Sequence, residues 1–357
     1  MTTRTLGAAQ IITGVAAAIA LLHFLASILI PFVIAGVLAV LVNALVRFIQ
    51  NRWPAAPAWA VSLLAGLVVI LTASGSIFVM AQGTAQMVSQ GPALVARVDQ
   101  ISVDVGESLH LREPLHLSAV VGKVSVTEVA GFLLSGMQGL LSGLLLMVVY
   151  FGFMLAGRKR IGRKIENVAG SSARAATIKE TLKRIAGNIE TYVWVQTITG
   201  VMLTVSAVIV MFAVGLDNVL FWAVMFFLLT FIPNIGVTVG SVAPSLFALV
   251  QFPTVWQAIT IFVVIQVVAT VVGNFIYPRL QAQTQNIDPV ATLLSLAFWG
   301  WLWGLPGAFL AVPMTLMSMM VFAQFESTAW VAAMLSNDGK PLFQRTRDAP
   351  RERPLRD

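Results

Sequence analysis

The chain has 357 residues, of which 58% are hydrophobic and only 10% are charged, with a net charge of +7. Because a soluble domain is about one quarter charged, this composition excludes a soluble protein. The apolar runs are long and unbroken, unlike the roughly ten-residue alternating segments of a transmembrane barrel, so we predict an all-α polytopic membrane protein.

The N-terminal region predicts two spans. Residues 5–46 carry no charge, and at about 1.5 Å per residue they would form roughly 63 Å of helix, twice the ~30 Å hydrocarbon core. The chain must therefore fold back, and Pro31 is the expected break. A cleaved signal peptide is the alternative, but its apolar region is only about 7 to 15 residues long. We assign residues 1–57 to a transmembrane hairpin and the loop after it.

The remaining chain alternates between apolar and polar segments. The apolar stretches add up to ten crossings, or to about eight full spans plus re-entrant hairpins, because several C-terminal pieces are short and interrupted by Pro and Gly. The expected segments are a third span (58–81), a polar segment (82–128), a fourth span (129–157), a basic segment (158–190), a transport core (191–325) and a tail (326–357).

Charge predicts the orientation. Residues 158–190 carry nine basic and three acidic side chains, whereas residues 97–128 carry three basic and five acidic ones. Positive loops stay in the cytoplasm, so the basic segment should face inward and the acidic one outward. Both termini are then cytoplasmic. The basic segment is better explained as an anchor against anionic headgroups than as a nucleic-acid site, so no nucleic-acid partner is expected.

Known catalytic signatures are missing from the sequence. It contains no H-E-x-x-H, P-loop, G-x-S-x-G or G-x-G-x-x-G motif, which disfavours an enzyme and predicts no metal or other cofactor. The absence of cysteine also excludes a catalytic thiol. His23 lies in the middle of a predicted span, where it is either functional or a neutral side chain bonded to a neighbouring helix.

Two apolar stretches, 218–251 and 289–325, are each broken near the middle by Pro and Gly, which frees backbone groups that lipid cannot bond. Each stretch follows a longer span, and a span with its stretch forms one repeat. The two repeats are expected to run in opposite directions. This pattern predicts a transporter with inverted repeats and a substrate site at the broken elements. Ordinary turns with Gly-x-x-x-Gly packing are the alternative. The residues expected to line the pathway are Pro233, Asn234, Gly236, Gly240 and Pro244 in the first stretch, and Gly304, Pro306, Gly307 and Pro313 in the second.

Few polar side chains accompany these breaks. Gln196 and Asn274 are expected to add polarity to the pathway, with Pro278 and Arg279 at the end of a span. Arg279 is alternatively a headgroup anchor. Ion coupling would require an acid inside the membrane, and the candidates are Asp288 and Glu190. Asp288 could instead cap the helix that begins at Pro289.

At these positions the chain resembles the autoinducer-2 exporter family of bacterial inner-membrane transporters, over roughly residues 175–325. The N-terminal half agrees only in its layout. The resemblance is carried by Thr191-Tyr192, Gln196-Thr197, Gly200, the segment 231–236, Gly273-Asn274, Tyr277-Pro278-Arg279-Leu280, Leu294-Ser295-Leu296, Trp299-Gly300-Trp301 and Pro313.

The resemblance implies a multispan permease of the bacterial inner membrane that exports a small polar solute such as autoinducer-2, and it implies a homo-oligomer. Some members are sodium or lithium/proton antiporters, which is the second hypothesis. Members often carry Glu in place of Tyr277 and Lys in place of Gln196, and both differences weaken the antiporter interpretation. The third hypothesis is a non-transporting scaffold that binds a partner through residues 82–128.

The predicted topology has a direct test. A reporter that is active only in the cytoplasm should work when it is fused after Arg160 and fail when it is fused after Glu107, because opposite charge balances place the two positions on opposite sides. The measurement is reporter activity per fusion protein. The reverse pattern would contradict the predicted orientation.

Overall fold

The computed structural model describes residues 3–54, 57–108, 126–233, 235–281 and 286–339, and these residues are mostly helical. One π-helical turn spans Val272–Ile276. The α-helices are α1 (Thr3–Phe24), α2 (Ala26–Arg52), α3 (Ala58–Ser108), α4 (Val126–Ala169), α5 (Ser172–Ala213), α6 (Val219–Thr230), α7 (Ile235–Gln251), α8 (Trp256–Val271), α9 (Tyr277–Gln281), α10 (Pro289–Phe322) and α11 (Ala329–Leu335).

The apolar helices confirm a polytopic, all-α membrane protein. Five segments of the described chain are long and apolar enough to cross a bilayer, namely Ala26–Arg52, Trp59–Gln86, Ser172–Ala213, Trp256–Leu280 and Pro289–Phe322. Four shorter apolar helices accompany them, at Ile12–Phe24, Gly143–Gly157, Val219–Thr230 and Ile235–Gln251.

The first helix break does not lie where the sequence placed it. Pro31 was expected to separate the first two spans, but it lies inside α2, and α1 ends seven residues earlier, at Phe24, with only Leu25 between the two helices. Proline removes a single backbone donor, which a transmembrane helix tolerates when neighbouring groups bond the freed carbonyl. The expected break at Pro31 is therefore wrong.

Three helices are longer than a membrane span. α3 has 51 residues and would measure about 76 Å, more than twice the hydrocarbon thickness. It therefore joins the predicted third span to the first part of the polar segment. α4 and α5 likewise extend through the basic segment and meet at Gly170, which has a positive φ of 71°.

Two exposed ion pairs lie in the basic segment. Lys179 on α5 donates to Glu166 on α4, and Arg184 donates to Glu180 one turn earlier, at 2.9 Å. These hydrogen bonds lower the pKa of both carboxyl groups. Because both pairs are exposed, each contributes little to stability.

The chain folds into two compact units, and both contain helices of the predicted transport core. Unit 1 comprises residues 1–41, 147–193 and 281–357, and unit 2 comprises residues 42–146 and 194–280. The core of unit 1 includes Tyr192, Val312 and Leu316. The core of unit 2 includes Met211, Trp222, Phe226, Phe247 and Ile261.

The first broken stretch lies in unit 2 and forms hairpin A, whose described residues are α6, the turn 231–233 and α7. α6 has 12 residues and α7 has 17, so they measure about 18 and 26 Å and neither reaches across a ~30 Å core. The predicted break is confirmed. Asn234, one of the expected pathway residues, lies outside the described residues.

Glycines allow the two helices of hairpin A to touch. A Cβ atom on Gly240 would lie 1.9 Å from Cδ2 of Phe226, and one on Gly236 would lie 1.8 Å from the carbonyl oxygen of Leu229. Only glycine permits such a close approach between helices. The Gly-x-x-x-Gly spacing of Gly236 and Gly240 therefore serves packing inside the hairpin.

The second broken stretch lies in unit 1 and forms hairpin B, residues 289–322. α10 contains a reversal at Gly304, whose φ of 64° and ψ of −143° are not helical. The two halves lie against each other, because a Cβ atom on Gly307 would be 1.9 Å from the carbonyl oxygen of Trp299. The second predicted break is therefore confirmed, and it lies at Gly304.

The close packing in hairpin A predicts a large effect from one methyl group. We expect Gly240→Ala to lower the free energy of unfolding by about 1–3 kcal/mol, because the buried Phe226 ring has no room to move away. The measurement is thermal unfolding of the purified protein in detergent.

Gly75→Ala is the matched control, because a Cβ atom on Gly75 has no neighbour within 4 Å. It should leave stability unchanged or raise it slightly, through better helix propensity. Equal melting temperatures for the two variants would contradict the tight contact at Gly240.

Candidate functional site at the tips of the two hairpins

The tip of hairpin A, where α6 ends, accepts a hydrogen bond from Gln196. This side chain, on α5, is 9% exposed, and its Nε2 donates to the backbone oxygen of Thr230, the last residue of α6. The last carbonyls of a helix have no helical donor, so one of them depends on a side chain here. Gly200, one turn after Gln196, keeps α5 close, because its Cβ would lie 2.7 Å from Oγ1 of Thr230.

The α7 side of hairpin A contains small polar residues. Pro244 is buried inside the helix and has no N–H, so the carbonyl of Gly240 loses its helical donor. Ser245 donates to the backbone oxygen of Ser241 at 2.7 Å, and Ser241 donates to that of Thr238 at 3.0 Å. Pro233 is described in the turn before α7 and is half-buried.

The tip of hairpin B, around Gly304, is joined to α1 by two hydrogen bonds. Nδ1 of His23 lies 3.0 Å from the backbone oxygen of Leu302, and Nε1 of Trp303 donates to the backbone oxygen of Leu22 at 3.0 Å. Of the two alternatives considered for His23, the bond to a neighbouring helix is confirmed. Sequence analysis did not identify its partner, since no local pattern connects residues that are 279 positions apart.

A chain of hydroxyl groups joins the two halves of hairpin B. Nε1 of Trp299 donates to Oγ1 of Thr315 at 3.2 Å, this hydroxyl bonds that of Ser295, and Ser295 lies 3.2 Å from the backbone oxygen of Ala311. All three side chains are buried. The expected residue Pro313 is buried between these bonds, and Pro306 is half-buried near the tip. Sequence analysis missed this cluster, although Ser295 and Trp299 share one helix face.

The segment around Asn274 is irregular. The π-helical turn Val272–Ile276 precedes Pro278, which cannot donate to the backbone and so disturbs the helix before it. Nδ2 of Asn274 donates to the backbone oxygen of Thr270 at 2.9 Å. Asn274, Pro278 and Arg279 are all exposed in the described structure, so none of them is buried against a neighbouring helix.

Asp288 is a helix cap. Its Oδ1 accepts from the backbone N–H groups of Val290 and Ala291, at 2.8 and 3.2 Å. Pro289 occupies the first helical position, so the capping alternative is confirmed. Glu190, the other expected coupling acid, is half-buried on α5 and engaged in an interaction.

Some buried polar atoms have no hydrogen-bond partner in the described part of the chain. They are Oγ1 of Thr84, Oγ1 of Thr204 and Nε1 of Trp222. Thr84 follows Gly83, whose Cβ would lie 1.9 Å from the Phe221 ring, so α3 touches the start of hairpin A next to Trp222. Sequence analysis identified none of these residues, because isolated Thr and Trp residues are common in transmembrane helices.

Comparisons with known proteins cover most of the chain. A family model described as AI-2E family transporter matches residues 12–327. The AI-2 transport protein TqsA of Escherichia coli K12 is 26% identical over 331 residues, which are 89% of this chain and 92% of the relative. The putative transport protein YhhT of the same strain is 26% identical over 300 residues, or 82% and 84%. The putative transport protein YueF of Bacillus subtilis 168 is 21% identical over 305 residues, or 81% and 82%.

The capping geometry predicts how Asp288 responds to substitution. Asp288→Ala should lower the free energy of unfolding by about 0.5–2 kcal/mol, whereas Asp288→Asn should have little effect, because asparagine is an equally good cap. Thermal unfolding in detergent measures both. Asp217→Ala, which keeps the backbone bond from its N–H to Gln251, is the control. Equal losses for Asn and Ala would show that the charge matters rather than the cap.

Proposed function

The chain belongs to the AI-2E transporter family, and we propose that it carries a small polar solute across the bacterial inner membrane by rearrangement of its hairpins. The match over residues 12–327 includes the N-terminal half, where the sequence resemblance was one of layout only. The family match and the apolar helices therefore make the chain a multi-pass membrane transporter. The solute, the direction and the mechanism are the proposal.

The observation that carries the proposal is the way each hairpin tip is held. Each tip presents a carbonyl group at a helix break, and each of these carbonyls accepts from a single side chain, Gln196 for Thr230 and His23 for Leu302. One hydrogen bond inside a membrane protein contributes only about 0.6–2 kcal/mol. Such bonds can be exchanged for bonds to a solute, as in transporters with broken helices.

The chemistry of the tips favours a neutral solute with several hydroxyl or carbonyl groups. Near its tip, hairpin A offers backbone carbonyls, the Gln196 amide and the Thr230 hydroxyl. Hairpin B offers the Trp303 indole near its tip, and the Ser295 and Thr315 hydroxyls and the Trp299 indole between its two halves. These groups exchange hydrogen bonds without a fixed charge. The relative named AI-2 transport protein TqsA makes an autoinducer-2-like signal the leading candidate, exported from the cell.

We propose that each hairpin lines part of the solute pathway. Pro233, Asn234, Gly236, Gly240 and Pro244 belong to the part in hairpin A, with Gln196 beside its tip. Gly304, Pro306, Gly307 and Pro313 belong to the part in hairpin B. Asn274, Pro278 and Arg279 remain in the proposal as the irregular end of the preceding span, where the π-helical turn frees backbone groups.

Sodium or lithium/proton antiport is the less favoured alternative. It requires an acid that changes protonation, and the Asp288 carboxylate is occupied by two backbone N–H groups. Glu190 is the remaining candidate. A non-transporting scaffold is the third possibility, and it predicts no flux at all. Membrane lipid surrounds the protein under each hypothesis, and we propose a homo-oligomer with both termini in the cytoplasm.

The proposal is tested by flux in sealed proteoliposomes that contain the purified protein. Labelled autoinducer-2 is supplied without a gradient, with a proton gradient and with a sodium gradient. We expect saturable flux that falls at least tenfold in Gln196→Leu, because the Thr230 carbonyl then loses its donor and the tip loses its polar neighbour. Asn234→Leu should also abolish flux without lowering membrane abundance.

Gln266→Leu is the matched control, since it makes the same change at a half-buried position of the regular helix α8 rather than beside a helix break. It should retain flux. Unchanged flux in Gln196→Leu and Asn234→Leu would remove both residues from the pathway. Sodium-driven proton movement without solute flux would favour the antiporter. The absence of both solute flux and proton movement would favour the scaffold.

A further inference from the structure

His23 and Trp303 form a reciprocal contact between the end of α1 and the tip of hairpin B. His23 lies in the last turn of α1 and bonds the Leu302 carbonyl, while the Trp303 indole donates to the carbonyl of Leu22. Leu22 is also in the last turn of α1, where carbonyls have no helical donor. Each element therefore supplies the donor that the other element lacks.

The Leu302 carbonyl needs a donor from outside its own helix, because of the residue four positions later. In a continuous helix it would accept from the N–H of residue 306, but residue 306 is proline and has no N–H. The reversal at Gly304 also removes the helical path between the two residues. Leu302 is 2% exposed, so neither water nor lipid can replace the missing donor.

The hydrogen bond to Leu302 shows which nitrogen of His23 is the donor. A carbonyl oxygen only accepts, so Nδ1 of His23 carries the proton. Both the neutral Nδ1–H tautomer and the imidazolium provide this donor, so the bond does not depend on charge. In hairpin A the equivalent position is filled by Gln196, an amide that does not titrate. A neutral donor is therefore sufficient for this type of contact.

We propose that His23 is a positioning residue for hairpin B, and that its Nδ1–H holds the Leu302 carbonyl so that the chain reverses at Gly304 in the arrangement that transport requires. The proposal rests on the proposed transport function for its last clause only. The positioning itself is a property of the fold. It excludes the other role open to a histidine within the membrane, that of a proton carrier.

Asparagine is the decisive substitution. Its Nδ2 occupies nearly the same place as Nδ1 of histidine, so His23→Asn keeps the donor and removes the titratable ring. His23→Leu keeps a similar volume and removes the donor. Phe24→Leu, at the exposed end of α1, is the matched control for a change of packing at this position.

The first measurement is hydrogen exchange by mass spectrometry of the full chain in nanodiscs, on peptides that cover residues 299–310. We expect amide exchange to become about three- to thirty-fold faster in His23→Leu, as the loss of one membrane hydrogen bond implies. Exchange should stay at the unsubstituted rate in His23→Asn and Phe24→Leu. Peptides from hairpin A should exchange equally in all variants, which separates a local effect from general unfolding.

The second measurement is flux of labelled autoinducer-2 in proteoliposomes at several pH values. His23→Leu should lose most of its flux, and His23→Asn should retain flux with an unchanged pH profile. Unchanged exchange in His23→Leu would overturn the positioning role. Loss of flux in His23→Asn with normal exchange would also overturn it, in favour of proton transfer. If the unsubstituted protein moves no solute, the transport proposal fails, while the exchange result still decides the role of His23.

Discussion

The structure depends on one constraint, that backbone polar groups inside a bilayer must find partners within the protein. The long helices meet it internally, but the two hairpin reversals cannot. Hairpin A depends on Gln196 for the carbonyl of Thr230, and hairpin B depends on His23 for that of Leu302. The side chains differ in chemistry, and both act as donors to the first half of a hairpin. Gln196, a polar residue of the proposed pathway, is thus also one of the two residues that make the breaks possible.

The two hairpins also share a way of bringing their halves together. In each, a glycine shortly after the reversal allows contact with a carbonyl of the preceding half, Gly236 with Leu229 and Gly307 with Trp299. A side chain at either position would push the halves apart. Hairpin B adds the hydroxyl chain through Ser295 and Thr315, whereas hairpin A is joined by aromatic packing around Phe226 and Trp222. Similar backbone geometry therefore arises from different side-chain chemistry.

Sequence analysis predicted what local chemistry determines. Pro233 with Gly236, and Gly304 with Pro306, mark both reversals, and Asp288 before Pro289 marks a cap. It was wrong at Pro31, because transmembrane helices tolerate a single internal proline. It could not identify the partners of His23 and Gln196, since those bonds join residues 279 and 34 positions apart. The length of α3 was missed for a related reason: polar residues after Ala81 ended the predicted span, although they continue the helix.

The π-helical turn Val272–Ile276 has a consequence for how this segment can change in evolution. Such a turn accommodates one residue more than an α-helical turn. Removal of one residue there would therefore restore a regular helix and leave the residues after it on the same face. Removal of one residue from the regular part of α8 would instead rotate everything after it by about 100°. Tyr277, half-buried, and Arg279, exposed, would keep their surroundings in the first case and lose them in the second.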